Sequence, residues 1–226
     1  MKKIIYFIFL TLFLSACKKE TNRNNSPELV NTAEAKAEHN TKSGGVYKGV
    51  LIGSSGVIKI ILQDNALQAI ITIDGVSKTL ATTNLNSWTS GQAVSNALFK
   101  VDNWQITFSV AADGSNPQIT ANIPGHANMA VFMAKETSST LIKAYEGTYS
   151  GASSGTWNFV ILGNKLMGIA KGTDSDISYI KGDINGTNII GTAESSSVRG
   201  TINGNEVSGT YTNSSGNGTW KGKRTL

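Results

Sequence analysis

The chain reads as all-β. It is expected to form two consecutive antiparallel up-and-down meanders of about eight strands each, closed into small barrels, with β-sandwiches as the alternative. Three observations predict this. Gly182, Gly191, Gly200, Gly209 and Gly218 recur every nine residues. Apolar and polar side chains alternate between them. The second half of the folded region also echoes the first. Glycine, at 24 of 226 residues against 3 prolines, suits tight turns and curled sheets.

Midway between the glycines lie Gly186-Thr187, Ser195-Ser196, Gly204-Asn205 and Asn213-Ser214. These pairs suit two-residue turns, because Gly and Asn tolerate positive φ. Turns there would set every glycine opposite the next. Alternation then puts Ile180, Ile184, Ile189, Ala193, Val198, Ile202, Val207, Tyr211 and Trp220 on the glycine face. The other face is polar apart from Ile190. Strands near 147–151, 155–162 and 165–171 bring the count to eight. A loop at Ala152-Ser153-Ser154 would set Tyr149 opposite Trp157, and a Gly163-Asn164 turn would set Phe159 opposite Gly168. Closure of such a meander removes its exposed edges.

Gly45-Val46-Tyr47-Lys48-Gly49 is similar to Gly147-Thr148-Tyr149-Ser150-Gly151, and Ser54-Ser55-Gly56 to Ser153-Ser154-Gly155. Ile58, Ile60 and Leu62 then fall on Trp157, Phe159 and Ile161 at an offset of 99. Ala130, Phe132 and Ala134 can be laid on Gly218, Trp220 and Gly222. The repeat divides the chain into modules at 44–136 and 146–226, joined by 137–145. Leu141, Ile142 and Tyr145 are apolar enough to pack this joint against a module end. In the first module Asp74-Gly75 and Asp102-Asn103 are turns, and Ile119, Ala121 and Ile123 form an inward row. Lys78 also falls on the inward face, a conflict within that scheme. The polar stretch from Thr82 to Asn96 holds Trp88 and has no clear period. It reads either as a binding loop or as a divergent crossover.

The opening differs from the rest. Lys2-Lys3, the apolar run Ile4 to Leu14 and Ser15-Ala16 form a secretory signal over residues 1–16, too short to span a membrane. Leu14-Ser15-Ala16-Cys17 resembles the lipobox of bacterial lipoproteins. The resemblance implies cleavage before Cys17 and lipid on its sulfur. Cys17 is the only cysteine, so no internal disulfide can form. Residues 17–43 are polar and read as the lipidated cysteine plus a flexible tether, with a helix start at Ser26-Pro27 running to Ala37. Lys18-Lys19-Glu20 is similar to runs that send some lipoproteins to the outer face of the outer membrane. Without residues 1–16 the chain keeps 18 basic and 15 acidic side chains, a dispersed +3 that argues against nucleic acid as a partner.

Catalytic chemistry has few candidates. His39 lies in the tether and His126 in a Pro-Gly turn, so neither a Cys–His nor a Ser–His–Asp arrangement has a base. No residues have zinc spacing, and no cofactor is implied. Asp174 and Asp176 could reach one calcium ion, but alternate acids in a Gly-Ser-Thr loop read as turn residues. The chain is therefore expected not to be an enzyme.

The glycine row has two readings. It lets a small barrel curl around filling aromatics, or it leaves a cavity that those aromatics line. Tyr149, Trp157, Phe159 and Trp220, with Trp88 of the first module, are the candidate ligand-binding residues. Gly147-Thr148-Tyr149 through Trp157 and Leu166-x-Gly168 resembles the first hairpins of avidin-type and other calycin barrels over about 25 residues. That resemblance implies barrel topology. It does not imply biotin, because the later tryptophans apart from Trp220 are missing. Together these readings predict an outer-membrane, lipid-anchored protein on the cell surface or the periplasmic face. It would bind a small apolar molecule or a glycan. The alternative is a structural, adhesive or inhibitor lipoprotein that meets another protein.

Overall fold

The computed structural model describes residues 29–53, 56–127 and 129–226. The signal segment, Cys17, the Lys18-Lys19-Glu20 run, the Ser26-Pro27 start and Ser54-Ser55 lie outside the described residues. The first module contains β1 (Gly45–Ile52), β2 (Gly56–Gln63), β3 (Ala66–Ile73), β4 (Val76–Thr82), β5 (Val94–Val101), β6 (Trp104–Val110), β7 (Gln118–Asn122) and β8 (Ala130–Lys135). They form one antiparallel sheet in the order β7-β6-β5-β4-β3-β2-β1-β8, whose two outermost strands touch without a ladder. The second module contains β9 (Ile142–Gly151), β10 (Gly155–Leu162), β11 (Lys165–Gly172), β12 (Ile177–Asn185), β13 (Asn188–Ala193), β14 (Ser196–Asn203), β15 (Glu206–Asn213) and β16 (Gly216–Arg224). Here β16 pairs with β9 and the barrel closes. The fold is thus two eight-stranded meanders, one a closed barrel and one nearly closed, rather than sandwiches.

The inward rows are those the alternation predicts, but the register differs in alternate hairpins. Gly182 faces Gly191 and Gly200 faces Gly209. Gly191 faces Val198, however, and Gly209 faces Trp220. The turns behind these pairings are Glu194-Ser195 and Ser214-Ser215, not Ser195-Ser196 and Asn213-Ser214. Likewise Trp157 faces Gly147, and Tyr149 faces Gly155. Each slip is two residues, so every side chain keeps its face and the binary pattern cannot tell the registers apart. The slip sets an apolar side chain opposite a bare glycine, where a ring can cover the exposed backbone. The predicted pairing of Phe159 with Gly168 is present.

The register also corrects the repeat. Tyr47 faces Ile60, and Tyr145 faces Phe159, so Tyr47-Lys48-Gly49 matches Tyr145-Glu146-Gly147 in the sheet rather than residues 147–151. Phe132 is not the counterpart of Trp220. Met133 points inward against the first core, and Phe132 points outward. Lys78 does lie toward the first barrel's interior opposite Ile71. It is tolerated near the barrel end because Asp102 pairs with its ammonium at 2.7 Å and Trp104 lies beneath it at 5.0 Å.

The two barrels abut side by side. β1 is buried on both faces. Its outward Val50 joins Val57 and Ala134 from the first module and Ile142, Ala144, Val160 and Leu226 from the second. Asn158 donates a hydrogen bond across the seam to the Leu51 carbonyl. Ile142 is therefore part of the seam, as its composition suggested. Tyr145 instead sits inside the second barrel, because β9 already begins at Ile142.

Residues 29–43 do not hang free. The predicted helix is absent from 29–36, and only the 3-10 turn Ala37–His39 is helical. The Glu34 and Ala35 amides bond the Glu136 carboxylate at 2.6 and 3.3 Å instead of neighbouring carbonyls. That carboxylate, fully buried, also holds the Lys48 ammonium at 2.7 Å and the Ile142 amide at 2.9 Å. Lys48 is equally buried and pairs with Glu34 at 2.8 Å. Further back, Val30 and Asn31 accept from Arg224 at the end of β16.

Candidate functional site

A cavity of about 570 Å3 opens at one end of the second barrel. Its inner wall follows from the glycine row. A β-carbon at Gly147 or Gly222 would overlap the Trp157 ring, and one at Gly200 or Gly209 would overlap Trp220. The two indoles therefore lie flat on stretches of wall that have no side chains. Trp157 stacks on Phe159 with centroids 4.6 Å apart, and Trp220 meets Trp157 edge-on at 5.5 Å. A β-carbon at Gly182 or Gly191 would meet the backbone of the paired strand first, not a ring, and Gly191 borders the open volume. Part of the row thus seats aromatics and part leaves space.

The polar edges of this wall are already used. The Trp157 indole N–H donates to the Thr148 carbonyl at 3.1 Å. That of Trp220 is shared between the Arg199 and Thr210 carbonyls, each at 3.1 Å. Leu166, Ala170, Ile180, Ile189 and Val198 complete the inner lining. Tyr145, Ile161 and Val207 pack the same core toward the opposite end. The inner cavity therefore offers mainly ring faces and hydrocarbon, with the Tyr149 and Ser178 hydroxyls on the rungs nearer the mouth.

The mouth is chemically different. It is formed by the turns β9–β10, β11–β12, β13–β14 and β15–β16, which up-and-down topology brings to one end. Asp174, Asp176 and Glu194 stand on this rim among Ser153, Ser154, Thr173, Ser195 and Ser196. Among the described residues no lysine or arginine lines the cavity. Asp174 folds back over Gly172, where a β-carbon would meet its carboxylate and come within 3.6 Å of the Tyr149 hydroxyl. Burial pushes the Tyr149 phenol above its ordinary range, and the Asp174 carboxylate and Tyr211 add to that rise. Tyr211 fastens the β9–β10 loop. Its hydroxyl donates to the Ser153 carbonyl at 2.6 Å and accepts from the Ser153 amide at 2.8 Å.

The structure brings together Tyr149, Trp157, Phe159 and Trp220. It does not bring Trp88 to them. Trp88 lies between β4 and β5, packed on the first core, with its N–H donating to the Gln92 carbonyl at 3.0 Å. The stretch around it is tied down. Leu85 is buried, and His39 and Ser43 bond Ser90 and Gln92. Asp174 and Asp176 form a local turn in which the Asp176 amide donates to Asp174 at 3.3 Å. Among the described residues no group of three His, Cys, Asp or Glu side chains gathers as a metal site. His126 lies 3.9 Å from Asp74, far along the chain from this cavity. Sequence reasoning missed Glu194 and Tyr211 as parts of the mouth. The available signal was their place beside turns at one end of alternate hairpins.

No curated protein and no solved structure matches the chain. Residues 1–17 match the model for a prokaryotic membrane lipoprotein lipid attachment site. The chain is a lipid-anchored bacterial lipoprotein that carries two glycine-rich β-meander modules.

Proposed function

We propose that this lipoprotein is a non-enzymatic binding module of the outer membrane that captures a small molecule in its second barrel. One observation carries the reading: a cavity of about 570 Å3 with an aromatic inner wall, open at one end only. That volume is in the range of roughly 300–1,000 Å3 usual for small-ligand sites. Capture without chemistry fits an inner wall of apolar side chains whose polar groups stand only at the mouth. The orientation fits as well. Val30 and Asn31 join the body at Arg224, the end of β16 away from the mouth. The entering segment from residue 29 to 43 therefore lies away from the mouth and lines none of the cavity.

The test fills the cavity. Val198 lies opposite Gly191, as Trp220 lies opposite Gly209. Val198→Trp should lay a third indole on bare backbone and occupy the space. Native mass spectrometry of the lipoprotein purified from its own membrane should show a bound small-molecule mass that the variant lacks. Absence of any bound mass, together with no response to a small-molecule panel, would reject the reading.

A second reading is a protein-binding surface. Tyr179 (68% exposed), Ile177 and Ile190 point outward from β12 and β13. If a partner protein from envelope extract is retained equally by wild type and Val198→Trp, and lost on Tyr179→Ser, this reading replaces the first.

A further inference from the structure

We infer that the cavity takes an amphiphile with an apolar aryl or alkyl body and a cationic head, an organic amine or quaternary ammonium. This rests on the binding reading above and narrows its ligand class. Two independent features of the site carry it.

The first is the satisfied inner wall. Both indole N–H groups are committed to backbone carbonyls, and the deepest lining side chains, Phe159, Leu166, Ile180 and Ile189, are hydrocarbon, with the Tyr149 and Ser178 hydroxyls nearer the mouth. A sugar seated there would bury hydroxyls without partners, which is costly. A ring or an alkyl chain loses nothing, and it gains contact with the stacked Trp157–Phe159 pair. The deep part therefore selects an apolar body and disfavours a glycan.

The second is the sign of the mouth. Asp174, Asp176 and Glu194 stand around it, with no cationic side chain among the described lining residues. Without residues 1–16 the chain keeps 18 basic against 15 acidic side chains, so the acidic mouth runs against the overall balance. A low-dielectric funnel ringed by one sign of charge concentrates the opposite sign. An ammonium at the rim would also stand beside the Tyr149 ring, whose face attracts cations. The same rim repels a fatty acid or any other amphiphile with an anionic head. Ligand and site thus match at both ends: hydrocarbon with rings inside, cation with carboxylates outside.

The experiment uses the full lipidated chain in neutral phosphatidylcholine nanodiscs, with empty nanodiscs as blank. Three probes share one body and differ in head charge: 4-phenylbutylammonium, 4-phenylbutanol and 4-phenylbutyrate. Isothermal titration should show the ammonium binding about tenfold more tightly than the alcohol, and the carboxylate most weakly. The preference should shrink in high salt. In the triple variant Asp174→Asn, Asp176→Asn, Glu194→Gln the three affinities should converge to within about twofold, with near-UV circular dichroism reporting that the barrel is intact. Equal binding of ammonium and alcohol to the wild type, or a preference that survives the triple variant, overturns the inference. Binding of a neutral oligosaccharide such as maltotriose with no binding of the phenylbutyl probes also overturns it, and leaves the binding module standing. No binding of any probe, with no co-purified mass, removes both.

Discussion

Glu136→Ala should loosen the whole body, although Glu136 is far from the cavity. Its fully buried carboxylate holds four groups: the Lys48 ammonium and the amides of Glu34, Ala35 and Ile142. Removing one partner of a buried ion pair costs about 3–5 kcal/mol, because the other charge stays in place. Lys48 keeps Glu34 as a counter-ion at 2.8 Å, which moderates that cost. The buried amides of Ala35 and Ile142 lose their acceptor, at roughly 1–3 kcal/mol each. Partial collapse and water entry offset some of this, so a loss of about 4 kcal/mol is expected. Glu136→Gln should lose about half as much, because its amide retains one acceptor oxygen and turns its nitrogen toward one of the two donor sets. Lys48→Met in the Glu136→Ala background should recover about 1–2 kcal/mol by removing a buried ammonium that only Glu34 then balances, while Glu34 keeps Lys59, a coupling that a double-mutant cycle isolates. Urea unfolding followed by far-ultraviolet circular dichroism measures the totals. Hydrogen exchange at the amides of Glu34, Ala35 and Ile142 locates them. A loss below about 1 kcal/mol, with those amides still protected, would refute the assignment of Glu136 as the joint between the entering segment and both barrels.

Other outcomes follow from the same structure. Gly200→Ala places a β-carbon against the Trp220 ring and 2.5 Å from the Ser208 carbonyl. Trp220 must leave its seat, so a loss of about 1–3 kcal/mol and a changed near-ultraviolet spectrum are expected; an unaltered spectrum would contradict the seating. Burial pushes the Glu34 carboxyl up, but bonds from Lys48 and Lys59 outweigh it and hold the group below its ordinary 4.5. Its folded value is thus below its unfolded one, so its stabilisation is complete above about pH 4.5 and drains as pH falls through the folded value. Exchange at Ala35, corrected for intrinsic rate, should rise in that acid window in the wild type and not in Glu34→Gln. Glu146 is the opposite case. Burial raises it, Lys223 opposes the rise, and Asp74 adds to it. A raised carboxyl costs stability once pH exceeds its folded value, so Glu146→Gln should raise the melting temperature at pH 7 and leave it unchanged at pH 4. A gain of equal size at both pH values would show that charge is not the cause.

Much of the fold is legible in the residues themselves, and specific positions show where legibility ends. Alternation alone places Ile189, Val198 and Val207 inward, and Thr192, Arg199 and Ser208 outward, because successive side chains point to opposite faces. The gathering of Tyr149, Trp157, Phe159 and Trp220 follows from the same parity, since one inward face of one barrel is a small space. Trp88 carries no such parity. It sits between strands, where its position depends on Gln92 four residues on and, through Ser90 and Gln92, on His39 and Ser43, which are distant in sequence. The seam between barrels had a signal that alternation hides. Gly49 to Ile52 and Phe159 to Leu162 are nearly continuous apolar runs, as strands buried on both faces require.

The amino-acid order by itself determined the lipid attachment site, and in the second module the eight strands and the face of each side chain in the nine-residue units, because short motifs and a period of two are local properties. The tertiary structure alone decided the two-residue slips that seat Trp157 and Trp220 on glycines, the burial of Lys48 with Glu136, and the unfilled volume beside Gly191. Each of these depends on which strands meet across the barrel. A slip of two leaves the local pattern unchanged, and only packing energy between distant residues separates the alternatives.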